Sequence, residues 1–599
     1  MLIAADMALL QGAYALLQSG DIAGARAQLA TLPEAKLQHP DVVHLLALIM
    51  IETGETREAR DFLEYAVKAA PESFSIWMTY ANLLGDIGEF DAAVDAYDRA
   101  AALDPQSAGP WLNLGLTAMS AERLDIANNA LTEASRLAPG SPAIWNARGV
   151  LEQQRRQPDA AIGHYQQALM VDERDARSRH NLGSALRDID QPAAAIDQVE
   201  LAIGLGSMAP ESFTLRAHLL ADLGRFDEAV GQYREVIKAV PDYLDAQETL
   251  ARLLPQVGQG DVALEGYRAA LAAGAPSPAL WQSALAAAKD VGDAQQLLGW
   301  AEDAERALGP QLDYRLARAT ALCRMGDAKA ALALLEPLAN QSPDNAAVQA
   351  HLAHILLLVS DPARAERHAL RATELAPLDQ LGWSFLTIIW RLLDDPRERW
   401  LADYDRLVMP IDLIMPHDLA ALATTVEALH LTAEHPAEQS LRGGTQTRGN
   451  IFDKRNPDMR GFAAQVRTAV EARLAMLPND PTHPFLGRNS GVIDFAGSWS
   501  VRLRSAGFHT NHIHQMGWLS SAFYVSLPAE VGTSSDAGAL TFGVPDAAYG
   551  LDLAPRRIER PRAGRLLIFP SYFWHGTVPF ESQSQRLTMA FDAVPAATA

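Results

Sequence analysis

Apolar and small residues recur along the first two thirds of the chain with a period of 34 positions, the spacing of a helix-turn-helix unit. The segment from Ser73 to Gln106 carries Trp77, Ala81, Ala93, Tyr97, Ala100 and Pro105. One period on stand Trp111, Gly115, Ala127, Leu131, Ala134 and Pro139. The next steps give Trp145, Gly149, Ala161, Tyr165 and Ala168, then Gly183, Ala195 and Ala202, then Ala217, Ala229, Tyr233 and Pro241, then Ala251, Ala263, Tyr267 and Ala270. Backward steps find Ala47, Ala59, Leu63 and Pro71, and before them Ala13, Ala25 and Leu29. Forward, a degenerate unit (Leu285, Leu297, Ala301, Ala304) is followed by recovery at Ala319, Ala331, Leu335 and Pro343, then Ala353, Ala365, Ala372 and Pro377. This predicts about eleven helix pairs in unbroken phase. Small residues let paired helices approach, larger ones four positions on fill the space between pairs, and proline stops the second helix. Trp383, Trp390 and Trp400 mark a divergent last unit that caps the array.

Beyond about residue 440 the period disappears. A helix is predicted near 459–476, where Phe462, Val466, Val470 and Leu474 share one face. Residues 401–440 read as a helical bridge. Then alternation takes over: Trp499, Val501 and Leu503 oppose Ser500, Arg502 and Arg504. Leu519–Leu527, Leu566–Phe569 and Arg586–Asp592 read as further strands. Short strands between loops rich in Gly and Pro predict a closed or double-sheet architecture such as a jelly roll. The expected fold class is multidomain α + β: an all-α superhelical solenoid over 1–400, the bridge over 401–440, and a double-stranded β-helix over 441–599.

Composition narrows the function. At 599 residues the chain exceeds one core, and 49% hydrophobic with 21% charged residues is a globular balance. No apolar run reaches the roughly 20 residues that span a bilayer. Asp6 interrupts the apolar N-terminus and no Lys or Arg precedes Arg26, so no export signal is read and a cytoplasmic location is expected. A formal net charge of -23 disfavours nucleic acid and anionic membranes as partners. The lone cysteine, Cys323, falls within a repeat helix, which excludes an intramolecular disulfide and a Cys-based metal site and suggests a buried structural thiol. Tyr97, Tyr165, Tyr233 and Tyr267 occupy packing positions and are expected in the core.

The candidate chemistry lies in the β region. His512 and His514 are two apart on an extended segment and share a face. His575 follows the apolar strand Leu566–Phe569, and Arg586 and Thr588 lie on one face at the head of the next strand. Two imidazoles from one strand and a third from a distant one is how a facial metal site with open positions is built. An Arg beside a hydroxyl suits a carboxylate. His509, Trp518, Tyr524, the Arg442–Thr447 stretch and the arginines 556, 557, 560, 562 and 565 are secondary candidates, each with a plainer reading as core, turn or solvated rim.

The 34-residue units resemble tetratricopeptide (TPR) repeats, which implies a superhelical groove that holds a protein or peptide. The segments Gly507–His514 and Gly517–Ala522, with Ile568–Ser571, Trp574–Thr577, Pro579-Phe580 and Arg586, resemble the 2-oxoglutarate- and Fe(II)-dependent oxygenases. Ser440–Thr447 resembles a signature of the branch that carries TPR arrays. The resemblance implies Fe(II), 2-oxoglutarate and O2, with His512 and His575 as metal ligands and Arg586 and Thr588 on the remote carboxylate of 2-oxoglutarate. His514 departs from the pattern, because the superfamily has Asp or Glu there; it is kept as the third candidate ligand. The implied activity couples decarboxylation of 2-oxoglutarate to hydroxylation of a protein or peptide. The rivals are a TPR scaffold whose β domain has lost catalysis, and a three-histidine cupin-type dioxygenase that uses no 2-oxoglutarate, against which Arg586 argues. The sequence specifies no oligomeric state.

Overall fold

The computed structural model describes residues 2–274, 276–413, 419–437, 440–454, 456–532 and 535–596. Two compact units follow one another, Met1–Leu219 and Leu220–Ala599. No helix among the described residues is long and apolar enough to cross a membrane.

The N-terminal region is an all-helical, TPR-like array. In the first unit, pairs such as Phe74–Asp86 with Phe90–Leu103, and Pro142–Gln154 with Pro158–Val171, lie antiparallel. A Cβ on Gly149 would lie 2.3 Å from the Tyr165 ring, and one on Gly115 2.6 Å from Leu131. The large residue of each unit therefore seats on the small residue sixteen positions before it, within its own pair. This differs from the expectation that it fills the gap between pairs, although the Tyr97 hydroxyl does reach Thr117 of the next unit at 3.3 Å. The four expected core tyrosines are buried.

The turn inside each pair carries the period most faithfully. At twelve positions spaced 34 apart, from Gly20 to Asp394, the backbone has positive φ. Seven are glycine, which adopts this conformation without a Cβ clash; Glu122, Arg156, Asp190, Ser360 and Asp394 take it as side-chain-bearing residues. Between units, the Trp77 and Trp145 indoles donate to the carbonyls of Pro71 and Pro139, and Trp383 repeats the bond to Pro377. Cys323 is half-buried in helix Leu312–Arg324, and burial pushes its thiol up to about 11.

The described residues of the second unit form nine strands, β1 Met409–Asp412, β2 Leu441–Gln446, β3 Ile493–His509, β4 Leu519–Ser526, β5 Leu540–Phe542, β6 Arg557–Glu559, β7 Arg565–Pro570, β8 His575–Thr577 and β9 Arg586–Pro595, and the later repeats share one core with β1, β3, β4, β5, β7 and β9. A six-stranded sheet has the order β1-β7-β4-β9-β3-β2, a three-stranded one the order β6-β5-β8, and all pairings are antiparallel. Two expectations need correction. Residues 401–440 are not wholly helical, because β1 forms the edge of the large sheet against β7; residues 414–418 and 438–439 lie outside the described ones. The Gly443-Gly444 pair is not a turn but a bulge in β2, where Gly443 has φ +68° and a Cβ on Gly444 would lie 2.4 Å from the Arg502 carbonyl.

Alternation along β9 positions the site. Leu587, Met589, Phe591 and Ala593 enter the core with Phe462, Val466 and Val470 of helix Pro457–Leu474. Arg586, Thr588, Ala590 and Asp592 take the other face. The last repeat helices are tied in by Arg556 to Glu398 (2.9 and 2.8 Å), the Trp574 indole to Ser384 O (3.1 Å) and the Tyr572 hydroxyl to Leu401 O (2.8 Å).

Candidate metal centre

His512 and His514 follow the end of β3, and His575 opens β8. His512 and His575 exchange backbone hydrogen bonds, N to O at 2.9 and 3.0 Å, as an isolated antiparallel bridge. His514 N donates to Ser571 O at 3.0 Å. These backbone bonds, rather than a continuous strand, fix the three side chains. The ring centroids stand 4.2 Å (His512–His575), 5.1 Å (His512–His514) and 5.2 Å (His514–His575) apart. Each offers a ring nitrogen within 4.8 Å of the others.

The far side of each ring sets its tautomer. His512 Nδ1 lies 2.8 Å from Thr510 O, and His575 Nδ1 lies 2.9 Å from Phe573 O. A carbonyl only accepts, so both Nδ1 atoms carry hydrogen and both Nε2 atoms present lone pairs. His514 Nδ1 donates to Asp592, at 2.7 Å from Oδ1 and 2.8 Å from Oδ2. The Nε2 atoms of His512 and His514 face each other at 3.2 Å. Two lone pairs at that distance repel unless a cation or a proton stands beside them.

Electrostatics separates the three. Burial, reinforced by the neighbouring His514, pushes His512 down to about 3, and His575 and His509 fall well below the ordinary imidazole value mainly through burial. For His514 burial opposes the charged form, but the charge of Asp592 and its hydrogen bond together outweigh burial and raise the pKa. Two neutral imidazoles and a third backed by a carboxylate suit a divalent metal, and the donor set fits Fe(II).

Arg586 is 3% exposed. Its Nη1 donates to Gly538 O at 2.7 Å, its guanidinium lies 5.1 Å from the Tyr524 ring centroid, and its Nε has no hydrogen-bond partner. Among the described residues no carboxylate lies within ion-pair distance of it. Thr577 Oγ1 and the Tyr524 hydroxyl are also buried without partners. A buried guanidinium with unused donors beside unused hydroxyls fits an anionic carboxylate. The Thr588 hydroxyl, expected to assist Arg586, instead donates to Val501 O at 3.3 Å, which leaves Thr577 as the uncommitted threonine hydroxyl.

His512, His514, His575, Asp592, Arg586, Thr577 and Thr588 line one cavity of about 800 Å3. Arg442, Trp499 and His509 line it too, as do Val291, Gly292 and Arg324 from the repeat helices. Of the secondary candidates, Trp518 is core, stacked on Phe485 with centroids 4.6 Å apart. The arginine run is ion-paired away from the cavity: Arg556 with Glu398, Arg557 with Glu559, Arg560 with Asp536, Arg562 and Arg565 with Asp412. Sequence reasoning missed Asp592, Thr577 and Ser440. The available signal for Asp592 was its even spacing from Arg586 and Thr588 on an otherwise apolar strand. Ser440 Oγ stands 2.9 Å from His509 Nδ1 and 3.2 Å from His512 Nε2.

Residues 497–592 match the family model described as "Putative 2OG-Fe(II) oxygenase". Residues 214–278 match a tetratricopeptide repeat model, and residues 2–197 match the "Cilia and flagella-associated protein 70 C-terminal domain". In a comparison with curated proteins, none matches. Among solved structures, the chain is similar to PilF of Pseudomonas aeruginosa, with 21% identity over 36% of this chain and 98% of that one, at a TM-score of 0.31. It is also similar to YrrB, described as a TPR protein with an unusual peptide-binding site (21% identity, 31% and 95% covered, TM-score 0.26). A tetratricopeptide repeat protein from Parabacteroides merdae gives 16% identity, 39% and 92% covered, and a TM-score of 0.33.

Proposed function

We propose that the protein is an Fe(II)- and 2-oxoglutarate-dependent oxygenase that hydroxylates a protein or peptide segment presented by its repeats. The two antiparallel sheets are read as a double-stranded β-helix within a catalytic region over 441–599, served by a repeat region that ends near residue 400. The observation that carries this reading is the tautomer arrangement: Thr510 O and Phe573 O hold the Nδ1 hydrogens of His512 and His575, and Asp592 that of His514, so three Nε2 lone pairs are available to one metal. Bound together, Fe(II), 2-oxoglutarate and O2 supply oxidative decarboxylation to succinate coupled to insertion of oxygen into a C–H bond.

His512, His514 and His575 hold the metal in this reading. Arg586 grips the remote carboxylate of 2-oxoglutarate with its unused Nε donor, and the Thr577 hydroxyl offers a further donor. Tyr524 supports the guanidinium by its ring face. The cavity exceeds what a five-carbon dicarboxylate fills, which leaves room for a substrate side chain. Val291 lines both this cavity and a second one of about 480 Å3 among the repeat helices, bordered by Glu248, Tyr267 and Asp290. That adjacency supports delivery of substrate from the repeats.

Succinate formation from 2-oxoglutarate tests the reading. Wild type with Fe(II) should turn over, while His575→Ala and Arg586→Ala should not. A wild-type protein that binds neither Mn(II) nor 2-oxoglutarate would refute it. Mass spectrometry of proteins captured by the repeat region, before and after exposure to the active enzyme, should show a gain of one oxygen.

A further inference from the structure

The superfamily resemblance calls for a carboxylate where His514 stands, and the structure contains a carboxylate directly behind that ring. Asp592 contacts His514 Nδ1 through both oxygens, at 2.7 and 2.8 Å. Its Oδ1 also accepts from Ser520 Oγ at 2.7 Å, and Ser520 Oγ is 2.8 Å from Ser571 Oγ. A Cβ on Gly517 would lie 2.5 Å from Ser571 Oγ and 3.4 Å from Asp592 Cγ, so backbone closes over the pair. Trp499 stacks on the other side of His514, with centroids 5.6 Å apart and planes at 30°. Among the described residues no Lys or Arg lies within ion-pair distance of Asp592; His514 is its only charged contact.

A charge count gives this arrangement its meaning. Three neutral imidazoles leave a divalent metal at +2, whereas two imidazoles and a carboxylate leave it at +1. One carboxylate bonded to a ligand imidazole restores the lower count one ring further out. We propose that Asp592 is a positioning residue that delivers its negative charge to the metal through His514, so that the His514–Asp592 pair together stands in for a carboxylate ligand. This rests on the reading that the three histidines hold a divalent metal. Ser520 keeps Asp592 turned toward the ring, and the two contacts from the carboxylate fix His514 with Nε2 toward the metal. Among the described residues no other charged residue takes up the Asp592 charge, as expected of a group whose counter-charge is the metal.

The test is Mn(II) affinity, measured by calorimetry on the full-length protein, with the melting temperature of the metal-free protein recorded alongside. Asp592→Asn keeps an acceptor for the His514 Nδ1 hydrogen and removes the charge; its Mn(II) Kd should rise about tenfold or more. Asp592→Ala removes both and should reach about 100-fold, the upper range for partners behind a metal ligand. Placing a carboxylate at the ligand itself should compensate: His514→Asp combined with Asp592→Asn should bind Mn(II) more tightly than Asp592→Asn alone, returning toward the wild-type Kd. A purely structural role for Asp592 would not be rescued in that way. Ser520→Ala, which leaves the charge in place and loosens its orientation, should weaken binding by a smaller factor and serves as the second probe if Asp592→Asn fails to fold. Wild-type affinity in Asp592→Asn at an unchanged melting temperature would overturn the inference while leaving the metal site intact. Absence of Mn(II) binding in the wild type would instead overturn the oxygenase reading, and this inference with it.

Discussion

The guanidinium of Arg586 lies against the ring of Tyr524, 5.1 Å from its centroid, and each side chain is left with a buried polar atom that no protein group satisfies. Burial lowers the Arg586 pKa while the neighbouring Tyr524 opposes that shift, so a positive charge is held where desolvation penalises it. Such a charge is costly to fold unless something compensates it.

In the proposed function an anionic cosubstrate provides that compensation. Arg586→Ala should weaken 2-oxoglutarate binding to the Mn(II)-loaded protein by at least about tenfold, since hydrogen bonds to charged groups are each worth about 1.5–3 kcal/mol. Arg586→Lys should recover little, because an ammonium does not reproduce the planar fork. Calorimetry with 2-oxoglutarate reads both. The Arg586→Ala protein should also melt no lower than wild type in the absence of 2-oxoglutarate, since an uncompensated buried charge has been removed.

Much of this architecture is legible in the sequence, and the parts that are not share a cause. The repeats declare themselves because every contact that defines a unit is local: Gly149 meets Tyr165 sixteen residues on, and the left-handed turn returns every 34 residues. The strands β3 and β9 show through their alternation, β4 and β7 through their apolar runs. The edge strand β1 does not, because Met409-Pro410-Ile411-Asp412 is four residues with a proline, and only its partner β7 makes it a strand. The role of Asp592 is hidden for the same reason. Its partner His514 lies 78 residues away, and no local spacing links the two. His512 and His514 are readable as candidate ligands because HxH is a local pattern; what orients them is not.

The left-handed turns supply a stability prediction within the first unit. Glu122 and Arg156 have φ near +58°, where most repeats place glycine. A side chain in that conformation costs roughly 1 kcal/mol. Glu122→Gly and Arg156→Gly should therefore leave stability unchanged or raise it by up to about 1 kcal/mol, against the usual loss when glycine enters a chain. Gly88→Ala, made where φ is +79°, should lower it by a similar amount. Urea midpoints of the three variants decide.

His430 predicts how stability responds to acid. The imidazole is buried, with Nδ1 2.8 Å from Thr445 Oγ1 on β2 and Nε2 3.0 Å from Ser500 Oγ on β3. Burial, with the nearby Arg502 adding to it, pushes its pKa down to about 4. The unfolded chain, with an imidazole near 6.5, binds the proton more readily than the folded one. Stability from this group is therefore complete above pH 6.5 and is lost as pH falls from there toward 4. At about 1.4 kcal/mol per pH unit the loss amounts to roughly 3 kcal/mol. Urea denaturation from pH 7 to pH 4.5 should show the decline, and His430→Gln should be less stable at pH 7 but flatter across that range. An unchanged slope in the variant would assign the acid sensitivity elsewhere.

Thr577 and Thr588 both border the cavity, yet their hydroxyls differ in what they already do. Thr588 Oγ1 donates to Val501 O across the β3–β9 pairing, and Thr577 Oγ1 is buried without a partner. Replacing each by valine, which keeps shape and removes the hydroxyl, separates a structural donor from a ligand-binding one. Thr588→Val removes a hydrogen bond worth about 1 kcal/mol and should lower the melting temperature while changing 2-oxoglutarate affinity little. Thr577→Val removes an unsatisfied buried group, so the free protein should be as stable as wild type or more so. If that hydroxyl meets the cosubstrate, the Kd for 2-oxoglutarate should rise about tenfold in Thr577→Val. The reverse pattern, with affinity lost in Thr588→Val and kept in Thr577→Val, would return the role to the residue that the sequence pattern first suggested.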